Sequence, residues 1–265
     1  LLYAEKNLML QGGWDKSFAT FNPALYPTTL DAALTGRVLY VAPNLAVTVD
    51  NLNLTRGAGS DGGAVYLGAG TNVNLYASRV YSNAATGAGG GVHSIGSTLT
   101  LSRTQVYSNS ATTTGGGIYM GSGALALLDA SSVYANSAAT LGGGGIEKVG
   151  GALTILDAQV HDNVAAAHGG GIQASSTITV TRGAIFQNTG KYGGGVHNAG
   201  KLTLDQSQVF GNRGTYNAGG VYATDLFLVK SSVYSNRADA SHGGGFYGAT
   251  TVSLTQSSIL SNTAA

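Results

Sequence analysis

The 265-residue sequence has no cysteine, which excludes disulfide frameworks and thiolate metal sites. Charge is also scarce: Asp, Glu, Lys and Arg make up 9% of the chain, against about a quarter in an average globular domain. Thirteen basic and twelve acidic residues leave a net charge of +1. A nucleic-acid binder needs a cationic face to neutralise phosphates, and this balance offers none. No apolar run reaches the ~18 residues of a membrane-spanning helix. No segment combines a 3.6-residue apolar period with helix caps, so little or no helix is expected. Disorder is disfavoured too, because 43% of the residues are hydrophobic and the net charge is near zero.

What the sequence has in excess is glycine, 42 residues of it, and repetition. Asn83, Asn109, Asn136, Asn163, Asn188, Asn212, Asn236 and Asn262 recur at intervals of 24 to 27 residues. Each has a branched apolar residue three positions earlier, such as Val80, Val106 or Ile185. A second apolar residue precedes that one by five, as in Leu75, Leu101 and Val180; Leu127, six before Val133, is the exception. Small residues form another row five before the asparagine, among them Ser78, Thr104, Ser131 and Ser207. Glycine clusters such as Gly115-Gly116-Gly117 mark the other side of each unit.

Period-two alternation in short runs reads as strands with every second residue inward. Each unit therefore reads as three short strands in a coil of about 24–28 residues, and the chain as an all-β, single-stranded parallel β-helix. A leucine-rich repeat lacks support in the leucine spacing, and a propeller blade needs more residues. The asparagines are expected in sharp turns, tolerating a left-handed backbone and bonding the next coil. The glycines are expected to supply positive φ and close backbone approach. Residues 1–60 read as irregular lead-in coils, with a loop excursion from Trp14 to Pro27, and residues 61–265 as eight regular coils of the same domain.

The pairing of Gly116-Gly117-Ile118-Tyr119 with Val106-Tyr107-Ser108-Asn109 resembles the repeats of polymorphic outer-membrane proteins, bacterial surface proteins of autotransporter type. The likeness covers residues 61–265 and departs from the family in placing valine, not phenylalanine, three before the asparagine. It implies a right-handed parallel β-helix displayed outside the cell or on the bacterial surface. It implies little about activity, because fold and function separate easily.

Polysaccharide-cleaving β-helices need clustered carboxylates, and this chain spreads twelve acids over its length. The best candidates are Asp129 and Asp157, in matching places on successive coils, with Arg182 on the coil after; a surface charge ladder explains them more simply. His93, His161, His168, His197 and His242 fall on different coils and positions, so solvent-exposed loop or ladder histidines are expected rather than a metal site. No catalytic residue, metal or other cofactor is expected. Two outward aromatic rows stand out. Tyr66, His93, Tyr119, His197, Tyr222 and Tyr247 form a candidate binding stripe, interrupted by Glu147 and Gln173. Tyr81, Tyr107, Tyr134, His161, Phe186, Phe210 and Tyr234 form a second. Cross-strand stabilisation is the plainer reading, and glycan or self-association the functional one. A threonine row at Thr100, Thr154, Thr179 and Thr203 is interrupted by Ala126 and Phe227, which weakens an ice-binding reading.

Leu1, Leu2, Tyr3, Leu8 and Met9 are candidate docking residues at the leading end, and Ile259 and Leu260 at the trailing end. The expected function is a non-catalytic extracellular structural protein (a stalk, sheath or fibre subunit) whose coils stack head to tail. A glycan-binding adhesin ranks second and a polysaccharide lyase or hydrolase last.

Overall fold

A computed structural model describes residues 1–265. It contains strands and no helix, wound as a right-handed parallel β-helix of about nine turns. Each strand pairs in parallel with its counterpart one coil on: Val92 faces Ile118, which faces Ile146, which faces Ile172. Branched side chains favour these strands because they pack on a pleated surface at little rotamer cost. The inward rows bury Leu39, Val65 and Ile118 from the first strand, Leu99 and Leu101 from the second, and Val106 and Val133 from the third. All belong to one continuous core.

Each regular coil makes four passages rather than the three expected. One coil runs Val92–Gly96, Thr98–Ser102, Gln105–Tyr107 and Ser110–Ala111. The fourth passage follows the asparagine and stacks Ala85, Ala111 and Ala138 in register. At two residues it is too short for alternation to show. The first two passages lie in one sheet, and in later coils they fuse into single strands, Val196–Asp205 and Val221–Val229.

The corners are left-handed, but the asparagines do not occupy the strained position. Positive φ falls on the residue before each: Ser82 (55°), Ser108 (53°), Ala135 (52°), Asp162 (53°), Gln187 (54°). The asparagine follows with its side chain turned inward, and Asn109, Asn136, Asn163, Asn188 and Asn212 are all buried. The bond to the next coil is as expected. The backbone N–H of Asn109 and its Nδ2 both donate to Asn136 Oδ1 at 3.0 Å, while Nδ2 also reaches back to Val80 O at 2.9 Å. The pattern repeats unbroken to Asn236 and Asn262. A side-chain amide turned inward is tolerable only when its donors and acceptor are met, and this row meets them.

The third glycine of each cluster makes room for that row. A Cβ at Gly145 would meet Asn163 Cγ at 2.9 Å and Gly171 O at 2.7 Å. The first glycine supplies the positive φ, as at Gly143 (62°). Small residues at the other corner do more than save volume. Thr104 Oγ1 donates to Leu75 O at 2.8 Å and accepts from Ser78 N–H at 3.3 Å, forming a hydroxyl row along the axis. Ala158 and Gly183 interrupt it.

The lead-in residues are more regular than expected. Leu2, Leu39 and Val65 pair in register, as do Leu30, Leu54 and Val80. Gly57 takes the asparagine position there, and its N–H donates to Asn83 Oδ1 at 2.7 Å. The excursion between Leu8–Gln11 and Thr28–Asp31 is confirmed, with one antiparallel bridge joining Trp14 and Phe21. The extra residue before Val133 is absorbed at a corner, where Asp129 (51°) and Ala130 (62°) are both left-handed.

Candidate functional site

Both aromatic rows form as stacks, with different character. Along the third strand, seven rings from Tyr81 to Tyr234 run without a gap. Their centroids are 4.6 to 5.1 Å apart and their planes within 7°. Along the first strand, Tyr40, Tyr66, His93 and Tyr119 stack, then Glu147 and Gln173 intervene, then His197 and Tyr222 resume. This first-strand stripe is not a free surface. The glycine turns pack against its side chains, and His93 is buried rather than exposed. Burial lowers the affinity of His93 for a proton, and it holds the ring of His197 down to about 4, with nearby His168 adding to the effect. Tyr66, Tyr119 and Tyr222 are half-buried, and Tyr247 alone of the six stripe residues is exposed.

The gap in the first-strand row places two ionisable side chains, Glu147 and Lys148, next to each other in sequence within the fold. Glu147 is half-buried, accepts a bond from Thr114 Oγ1 at 2.7 Å, and has its carboxyl pushed up to about 7 by desolvation. Lys148 points the opposite way, into the core, between Met120 and Ala174. It is fully buried, its Nζ has no hydrogen-bond partner, and burial lowers it to about 8.

Asp129 and Asp157 do not form a working pair. Asp129 accepts from Ser102 Oγ on the preceding coil at 2.7 Å. Asp157 is clasped by Arg182 on the following coil through two bonds of 2.8 and 2.7 Å, and this partner holds its carboxyl below the usual range. A general acid needs the opposite shift. The histidines also stay apart as ligands: His161 bonds Asp162 at 2.6 Å within the third-strand stack, whereas His168 stacks on His197 at 4.7 Å. No group of three or more His, Asp or Glu converges as a metal site.

Concavity lies elsewhere, at the corner between the second and third strands. Three hollows follow one another along the axis there. The first, of about 290 Å³, is lined by Arg79, Arg103, Asn51 and Gln105. The second, of about 390 Å³, shares Gln105 and adds Tyr134 and His161. The third, also about 390 Å³, shares Asp157 and Gln159 with the second and adds Arg182 and Gln208. The sequence reading missed this groove, because corner residues from several coils and a distant loop build it together. The single advance signal was a polar residue before the small-residue row at most corners, as at Arg103, Asp157, Arg182 and Gln206, with Ala77 and Ala130 as exceptions.

At the ends, the structure divides the candidate docking residues. Leu2, Leu8 and Ile259 lie on core-facing rows, below Leu39, Val47 and above Val233. Tyr3, Met9 and Leu260 face outward, the Tyr3 ring lying tilted by 46° against Tyr40 at 5.1 Å and Leu260 continuing the row of Tyr234. Leu1 is exposed. Leu10, Leu30, Val252 and Leu254 complete the apolar edges and had not been singled out.

No helix is long and apolar enough to cross a membrane. Compared with known families, curated proteins and solved structures, the chain matches no family model, no curated protein and no solved structure, so the likeness to polymorphic outer-membrane proteins rests on its two short motifs.

Proposed function

We propose that the protein is a non-catalytic structural rod that works outside the cell and lengthens by stacking of coil on coil. The observation that carries this reading is the unbroken register of three independent rows along the axis: the inward aliphatic residues of the second and third strands, asparagine amides and third-strand rings. A solenoid held by nearest-neighbour contacts is stiff along its axis when every interface is alike. Its two end faces also match row for row. Leu2, Leu8, Leu10 and Leu30 edge the leading coil, and Phe246, Val252, Leu254 and Ile259 edge the trailing one, on the same inward rows. The fibre reading has a second copy continue these rows. Heterologous contacts of this kind propagate without closing.

Electron microscopy and sedimentation of purified protein test the stacking. Filaments or concentration-dependent oligomers are expected, with dispersal on Val252→Asp/Leu254→Asp, which alters exposed edge residues. Particles that stay monomeric at high concentration would remove the fibre reading.

A further inference from the structure

The groove at the second corner has a chemistry that a bare rod does not need. Of the seven arginines, Arg56, Arg182, Arg213 and Arg237 each pair with an aspartate, and Arg37 donates to the carbonyl of Asp61. Arg79 and Arg103 have neither an acidic partner nor a backbone acceptor, and these two share the leading hollow. Arg103 donates to the Tyr76 hydroxyl at 2.9 Å and lies over that ring, which aims it without neutralising it. No Asp or Glu lines the hollow.

The hollow is also built rather than incidental. The first coil leaves its path at exactly this corner, after Leu8–Gln11, and the excursion folds across three further coils so that Pro23, Ala24 and Pro27 wall the cavity. Two prolines there fix the wall at low entropic cost. From this walled end the groove opens through Gln105 to the rings of Tyr134 and His161 and to the amides of Gln159 and Gln208.

We propose that this groove binds an acidic polysaccharide lying parallel to the coil axis, with an anionic unit seated between Arg79 and Arg103. A guanidinium fork suits a planar carboxylate or a sulfate. The row of glutamine amides beyond the arginines suits the hydroxyls of a sugar chain, and the ring edges of Tyr134 and His161, whose faces are taken up in the stack, add an apolar flank. Single-stranded DNA, a polyanion without those hydroxyls, is the competing occupant. The inference stands whether or not copies stack, because the groove runs along the side of a single chain.

Binding isotherms with polygalacturonate, dextran sulfate, neutral dextran and single-stranded DNA test it. Polygalacturonate or dextran sulfate is expected to bind and neutral dextran not to, the preferred polymer naming the anion as carboxylate or sulfate. Arg79→Gln/Arg103→Gln should weaken binding about tenfold or more, while Arg213→Gln/Arg237→Gln, which removes the same charge beside the fourth strand, should change it less than about twofold. Tyr134→Ala should weaken it as well, by a smaller factor. The proposal is overturned if neither acidic polymer binds, if both arginine pairs matter equally, if Tyr134→Ala has no effect, or if DNA binds more tightly than the polysaccharides. All four exchanged arginines are exposed, so unchanged thermal midpoints will separate lost binding from lost folding.

Discussion

The two sides of each coil obey different rules. On the third-strand side nothing interrupts the pattern: seven rings stack outside and every amide from Asn83 to Asn262 bonds the next. On the first-strand side one coil carries Glu147 outside and Lys148 inside, and the stack of rings parts around it. Beyond the backbone ladder that both sides share, the inward side chains of the first strands meet by packing, and packing tolerates one long side chain of comparable volume. The amide row gives no such latitude. Each asparagine serves its neighbours on both sides, so one substitution strands hydrogen-bonding groups on three coils.

Asn163→Ala should therefore have the largest effect. Its Nδ2 donates to Val133 O, His161 O and Asn188 Oδ1, and its Oδ1 accepts two bonds from Asn136. Stranding these buried groups should cost on the order of 3–5 kcal/mol in denaturant unfolding. A loss under about 1 kcal/mol would mean that the two sides are alike after all.

Lys148→Met should move stability the other way. The drop of this ammonium from 10.5 to about 8 corresponds to roughly 3 kcal/mol of penalty, as an upper bound. Between those two values the unfolded chain keeps a proton that the fold has released. The penalty is thus complete below pH 8 and fades as pH climbs to 10.5. At pH 7 the methionine variant should gain about 2 kcal/mol, with the gain vanishing above pH 10.5. An equal gain at every pH would place the benefit in shape rather than charge.

Glu147→Gln should give a smaller gain with its own pH signature. The fold holds the Glu147 proton up to about 7, so the parent loses stability as pH rises from 4.5 to 7. The variant should match the parent below pH 4.5 and exceed it by about 1–2 kcal/mol at pH 8. His197 acts in the opposite sense. With its ring held to about 4, stability falls as pH drops from 6.5 toward 4 in parent and variant alike. A parent–variant difference that does not change between pH 4 and 8 would show that Glu147 ionises normally.

The smallest expected difference separates the rows themselves. Tyr134 has a ring on both sides, at 4.9 Å each, whereas Tyr119 has His93 on one side and Glu147 on the other. Tyr134→Ala should cost about 0.5–1 kcal/mol more than Tyr119→Ala in thermal or denaturant unfolding.

Much of this architecture was legible from spacing, because a coil stacked in register repeats its inward residues at a fixed interval. Val80, Val106 and Val133 announced their row, and so did the rings that follow them. What stayed hidden had physical reasons. Two-residue strands such as Ser110–Ala111 carry no alternation. The asparagine was assigned the left-handed corner because it tolerates that backbone better than most residues, yet the preceding residue, even Ala135, takes the strain so that the amide can turn inward. Lys148 sits at an inward position that its chemistry argues against. The groove could not be seen because Arg79 and Arg103 become neighbours of Pro23 and Pro27 only after the excursion folds across several coils.

The amide row also has a direction. From Asn83 to Asn236 every asparagine N–H and one bond of every Nδ2 look toward the following coil and every Oδ1 toward the preceding one, starting with the N–H of Gly57 on Asn83, while a second Nδ2 bond reaches back to the backbone. These small dipoles share one sense and add rather than cancel. The molecule is therefore an arrow, and a partner that prolongs its spine must point the same way.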